Sequence, residues 1–143
     1  MSTDPKKARN QKTAIAPMLS VRKGASALEF YKAAFGADEL FRIDAESGAV
    51  VARLSVGGAE FWVADESPEH SNFSPESLGG GSVRMVMTVK DPDTAFERAV
   101  AAGATVVWPV TDQYGWRLGR IVDPLRTSLG NRQALVGGAV NSV

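Results

Sequence analysis

The sequence predicts an α+β fold built from two βαβββ modules, and three observations carry that expectation. A strand–turn–helix segment occurs twice, at 21–37 and at 89–104. Each copy is followed by further strand-like runs, which in the first half are separated by Ser-Gly and Gly-Gly turns. Between the halves lies "SPEHSNFSPESLGGG" (67–81), whose Ser, Pro and Gly content reads as a linker.

The repeat is visible when "VRKGASALEFYKAAFGA" (21–37) is set against "VKDPDTAFERAVAAGA" (89–104) with one gap. Val21/Val89, Ala27/Ala95, Glu29/Glu97 and Ala33/Ala101 coincide, as do Ala34/Ala102, Gly36/Gly103 and Ala37/Ala104. Helices are expected at about 25–35 and 92–102, each ending at a glycine suited to the left-handed position beyond a helix. Ser26 to Glu29 and Thr94 to Glu97 have capping-box spacing, and Asp91-Pro92 offers a second way to start the later helix. Leu28, Tyr31 and Phe35 share one helical face, as do Phe96, Ala99 and Val100.

The strands follow the same order in both halves. After the first helix come 37–46, 49–56 and 59–66; after the second come 104–110, 116–122 and, less regularly, 132–137. The stretch "GSVRMVMTVKD" (81–91) supplies the strand before the second helix. Val83, Met85, Met87 and Val89 alternate onto one face, and Arg84, Val86 and Thr88 onto the other. The organisation expected is a disordered tail at 1–12, a first module at 13–66, the linker, and a second module at 82–143. A helix on one face of each sheet leaves the other face in need of a partner, so two mixed sheets facing one another would enclose a cavity.

Composition narrows the function classes. A chain of 143 residues suits one domain with a core of useful size. Sixteen basic and sixteen acidic residues cancel, which gives no electrostatic reason to expect nucleic acid or an anionic membrane as partner. The absence of cysteine removes disulfides, zinc–thiolate sites and thiol catalysis. No apolar run has the length of a membrane span and no signal peptide is apparent, so a cytoplasmic location is expected. His70 is the single histidine and sits beside Glu69 in the linker, where a solvated loop residue explains it. No phosphate-binding loop, nucleophile elbow or Cys–His pair occurs, and Gly79–Gly81 reads as a hinge.

The stretches "PMLSV…ALEFYKAAFGA", "SPESLGG" and "GRIVDP" resemble the vicinal oxygen chelate superfamily, most of all its PhnB-type glyoxalase-like branch. That superfamily includes glyoxalase I, bleomycin-resistance proteins and extradiol dioxygenases. The resemblance covers about residues 13–137 and implies paired modules around a cavity, often in a homodimer. Its enzymes hold a divalent metal with His, Glu or Gln, at the start of the first strand and in the last strand of each module. Carried over by the resemblance, the first-strand positions are Ala16 and Arg84, and the last-strand position of the first module is Trp62. For the second module it is Ala134, or Gly130 if an insertion in "DPLRTSLGNRQALVG" is ignored. None of these coordinates a metal in the usual way, so no metal or other cofactor is expected.

The residues left to do chemistry are few. Arg84 is a permanent cation where a metal enzyme has a ligand. It reads either as an anchor for a carboxylate, phosphate or carbonyl, or as an ion-pair partner of Glu60. Trp62 reads as filler of the space a metal site needs, or as an aromatic wall for a flat ligand. Tyr114 and Trp116 flank Gly115 on a turn, where aromatics serve binding or cover a sheet edge. Arg117 and Arg120 read as solvated strand positions. Glu60 and Tyr114 are the candidates for a general base if the protein is an enzyme of the glyoxalase, lyase or isomerase type. The favoured expectation is a metal-free protein that binds an aromatic or anionic small molecule through Arg84, Trp62, Glu60, Tyr114 and Trp116.

Overall fold

A computed structural model of the chain describes residues 12–124 and the backbone of 133–139. Of the tail expected at 1–12, residues 1–11 lie outside the described residues, as do 125–132, which include Gly130, and the chain beyond Ala139. The first sheet contains β1 (Met18–Val21), β2 (Asp38–Asp44), β3 (Val50–Val56) and β4 (Ala59–Asp65), in the order β1-β4-β3-β2. The second contains β5 (Met85–Thr88), β6 (Thr105–Gln113), β7 (Trp116–Val122) and β8 (Gln133–Ala139), in the order β5-β8-β7-β6. Helix α1 (Gly24–Phe35) follows β1, and α3 (Pro92–Ala101) follows β5. In each sheet the first strand runs parallel to the last and the other pairings are antiparallel. The fold is thus α+β with two βαβββ modules.

The segment between the sheets is more ordered than its composition suggests. It holds a 3₁₀ turn (Pro68–His70) and the short helix α2 (Pro75–Leu78), started by Pro75 and capped by the Ser74 hydroxyl on the Ser77 amide. Glu66 accepts from the Ser74 amide at 2.9 Å and the Ser77 hydroxyl at 3.0 Å, which fastens this segment to the end of β4. Those bonds, the Ser74 amide above all, hold the Glu66 carboxyl below its ordinary pKa.

The helices start by other means than the capping boxes. Lys23 precedes α1 and makes no side-chain cap. Instead Asp65, at the end of β4, accepts from the Gly24 amide at 3.0 Å and from the Val50 amide at 2.6 Å. Gly24 leaves room for this, since a β-carbon there would collide with the Asp65 carboxylate. For α3 the Asp91-Pro92 start is the one used: the Asp91 carboxylate accepts from the Thr94 amide at 3.1 Å. Gly36 takes the left-handed position after α1, with φ of 66°.

Each helix covers one face of its sheet. Leu28 and Tyr31 of α1 are buried against Ala52, Leu54 and Val63, and Tyr31 meets Phe61 edge-on at 5.4 Å. Burying one such leucine contributes about 1.5–3 kcal/mol. Phe96 and Ala99 of α3 are buried, whereas Val100, assigned to the same face, is 38% exposed. The helices α1 and α3 pack on each other, so one apolar core runs from Val21 to Ile121 through both modules. No helix among the described residues is long and apolar enough to cross a membrane.

Candidate functional site: the helix-free faces of the two sheets

Pairing decides which side chains share a face, because partners across a ladder point the same way. In the first sheet Phe41, Arg53 and Trp62 lie opposite one another across β2, β3 and β4. They occupy the face away from α1, since the alternate residues Ala52, Leu54 and Val63 are those buried under the helix. Phe41 and Trp62 meet edge-on at 5.9 Å, and the Arg53 guanidinium lies 5.6 Å from the centre of the Trp62 ring. In the second sheet Trp108, Arg120 and Leu135 hold the corresponding register positions across β6, β7 and β8. The Arg120 guanidinium lies 5.0 Å over the Trp108 ring.

The expected site residues distribute over this surface as follows. Trp62 is half-buried at the centre of the first face. Glu60 lies exposed on the same face, two residues earlier in β4. Arg84 is exposed just before β5, and by alternation shares the side of Val86, which is 63% exposed. Arg84 and Glu60 make no ion pair with each other. Tyr114 and Gly115 form the two-residue turn between β6 and β7, both with positive φ (53° and 79°), the geometry hairpins prefer. Tyr114 is 96% exposed at its tip and Trp116 is 46% exposed.

Two arginines differ from the sequence reading. Arg117 is held by Asp93 of α3 at 2.6 Å and by Asp112 of β6 at 2.8 Å, so it is an anchor between helix and sheet. The paired carboxylates raise the guanidinium pKa further, and Arg117 lowers that of Asp93. Arg120 is half-buried over Trp108, as Arg53 is beside Trp62. Sequence reasoning missed Arg53 altogether. An isolated arginine in a strand carries no local sign of which face it occupies or what lies beside it.

The metal implied by the resemblance can be tested against donor chemistry. Ala16 and Arg84 are equivalent: each lies two residues before the first-strand residue, Met18 or Val86, that pairs with the last-strand position. Trp62 pairs with Met18, while Val86 pairs with Leu135. By register, the residue of the second module equivalent to Trp62 is therefore Leu135. Ala134 pairs with Met85 and Ile121 and belongs to the opposite register. Alanine, arginine, tryptophan and leucine supply no usual ligand atom, and Arg84 would repel a divalent ion. No group of three or more His, Cys, Asp or Glu side chains comes together among the described residues. These residues do not fit a divalent metal at the family positions.

A cleft of about 250 Å³ lies elsewhere, on the helix side where the modules meet. Phe35, Val56, Met87, Val89 and Arg98 line it, and none of the expected site residues does.

Comparison with known proteins agrees with this architecture. The family model of the Glyoxalase/Bleomycin resistance protein/Dioxygenase superfamily matches residues 14–132, and the chain belongs to that superfamily. An uncharacterized protein of Mycobacterium bovis is 40% identical over 120 residues, covering 80% of this chain and 79% of the relative. The X-ray structure of an Arabidopsis thaliana gene product superposes with a TM-score of 0.65 at 29% identity, covering 90% of this chain and 99% of that one. The fosfomycin resistance protein FosX from Listeria monocytogenes shares the fold, with a TM-score of 0.61 at 12% identity over 93% of this chain and 96% of its own.

Proposed function

We propose that this chain is a metal-free small-molecule-binding protein of its superfamily, acting in the cytoplasm as a homodimer and taking an aromatic or anionic compound on the helix-free faces. The observation that carries the reading is the replacement of metal-ligand chemistry by Ala16, Trp62, Arg84 and Leu135 at the family positions. Those faces instead present aromatic surface at Phe41, Trp62 and Trp108, with Arg84 at the rim. A second copy would cover open apolar positions such as Met18, Ile43 and Val86, which are 56%, 50% and 63% exposed. An enzymatic reading would rest on Glu60 or Tyr114. Both side chains are exposed to water.

Magnitudes set what the pocket must provide. A charge-assisted contact contributes about 1.5–3 kcal/mol and an aromatic stack about 0.5–1.5 kcal/mol beyond buried area. Micromolar affinity corresponds to about 8 kcal/mol, so the remainder must come from apolar burial in a surface already in shape. The test is a titration of tryptophan fluorescence with aromatic acids and antibiotics, in chelator and in added Mn²⁺, Zn²⁺ or Ni²⁺. Binding that is the same in chelator supports the reading. Binding or turnover that appears only with metal, or near-stoichiometric metal retained through purification without chelator, overturns it.

A further inference from the structure

We infer that Arg53 and Arg120 form a pair of equivalent oxyanion seats, one on each sheet, each taking the carboxylate of a flat aromatic acid. This rests on the helix-free faces being the ligand-binding surface, and it assigns the anchors within them. The two arginines occupy the same node of the repeated architecture. Arg53 pairs with Phe41 and Trp62, and Arg120 with Trp108 and Leu135, on the third strand of each module. The strand beside each arginine carries a register irregularity next to its aromatic: between Glu39 and Phe41, and on both sides of Trp108. Such bulges re-aim side chains and gather near sites.

The polar accounting points to an acceptor. Arg22, Arg42 and Arg117 each pair with a carboxylate, and Arg98 donates to the Ala33 carbonyl. Arg84, without such a partner, is open to water. Arg53 and Arg120 have neither escape: each Nε is sealed from solvent and has no hydrogen-bond partner. The Trp108 indole nitrogen beside Arg120 is in the same condition. All three atoms are donors, so what they lack is an acceptor, and beside a guanidinium the acceptor favoured by charge is a carboxylate oxygen. The tryptophan ring covers one face of each guanidinium and Nε is closed off, which leaves the end-on edge formed by the two Nη groups to receive a carboxylate in the bidentate mode.

Isothermal titration of the full chain with 2-naphthoate and its neutral isostere 2-naphthamide tests this, in wild type, Arg53→Gln, Arg120→Gln and the double variant. The acid is expected to bind wild type at two sites per chain and about tenfold or more tighter than the amide. Each single variant should lose one site, and the double variant should lose the preference for the acid. Melting temperatures close to wild type are expected for these variants, because the lost contact with the tryptophan ring is offset by removal of a buried donor that has no acceptor. Arg53→Lys and Arg120→Lys, which keep the charge without the planar fork, should weaken the acid while leaving the fold intact. Equal affinity for acid and amide, or an acid preference surviving in the double variant, overturns the seats and leaves the binding function standing. Absence of binding by both probes to folded protein overturns the seats and the function together.

Discussion

The two modules repeat one architecture and hold their helices by different physics. In the first, α1 is fixed by apolar volume: Ala27, Leu28, Phe30, Tyr31 and Ala34 are all buried, and its start is tied to Asp65 by the Gly24 amide. In the second, α3 buries only Pro92, Phe96 and Ala99, and charge does more of the fastening. Asp91 caps its first turn, and Asp93 receives Arg117 from β7. What both modules retain is the backbone register and the arginine at its node. The two modules share the positions of strands and helices, while the contacts that stabilise them differ.

Removing apolar volume from the first module should break that contrast most severely. Leu54 is fully buried under α1, and Leu54→Ala is expected to cost about 2–5 kcal/mol, read as a lower denaturation midpoint with an unchanged slope. A loss below about 1 kcal/mol would mean that the α1 core is looser than its burial indicates. The second module is more sensitive to crowding. A β-carbon on Gly119 would stand 2.7 Å from the Phe96 ring and 2.8 Å from a Val110 methyl, both side chains that seat α3 on its sheet. Gly119→Ala should cost about 1–3 kcal/mol by the same measurement.

The smallest effect sharpens the contrast through pH. Arg117 holds the Asp93 carboxyl below its ordinary value, and the Thr94 hydroxyl does the same for Asp91. Stability from such depressed groups is complete above the ordinary carboxylate pKa of about 4 and is lost as pH falls through the lowered values. The wild-type melting temperature should therefore drop in that acid range. Asp93→Asn should melt lower at neutral pH and change less on acidification. Both groups are open to solvent, so the difference should be modest and shrink in high salt. Superimposable melting profiles against pH would remove the electrostatic anchor from the account.

Elements that depend on local pattern were legible in the sequence. The helices expected at 25–35 and 92–102 are Gly24–Phe35 and Pro92–Ala101, and the alternation of Met85, Val86 and Met87 is visible in their burial. Features that depend on distant partners were not. Ser26 and Glu29 have the spacing of a cap, but the group that receives the first amide of α1 is Asp65, 41 residues away in the chain. By strand register the residue of β8 equivalent to Trp62 is Leu135, one residue from the expected Ala134, and a shift of one residue in a strand exchanges the two faces. Arg53 and Arg120 became recognisable only through the pairing of three strands. Their nearest sequence signal is their shared place in the third strand of each repeat, in "ARLSV" and "GRIVD".

Asp65 has a dynamic consequence beyond starting a helix. Its two oxygens bind the amide at the start of α1 and the amide at the start of β3, while its own backbone closes β4. The beginning, middle and end of the first module therefore meet at one carboxylate, and loosening any of them releases the others. Amide exchange at Gly24 and at Val50 should then report the same opening event, with the first module unlocking as a single cooperative unit instead of fraying from its N-terminal end.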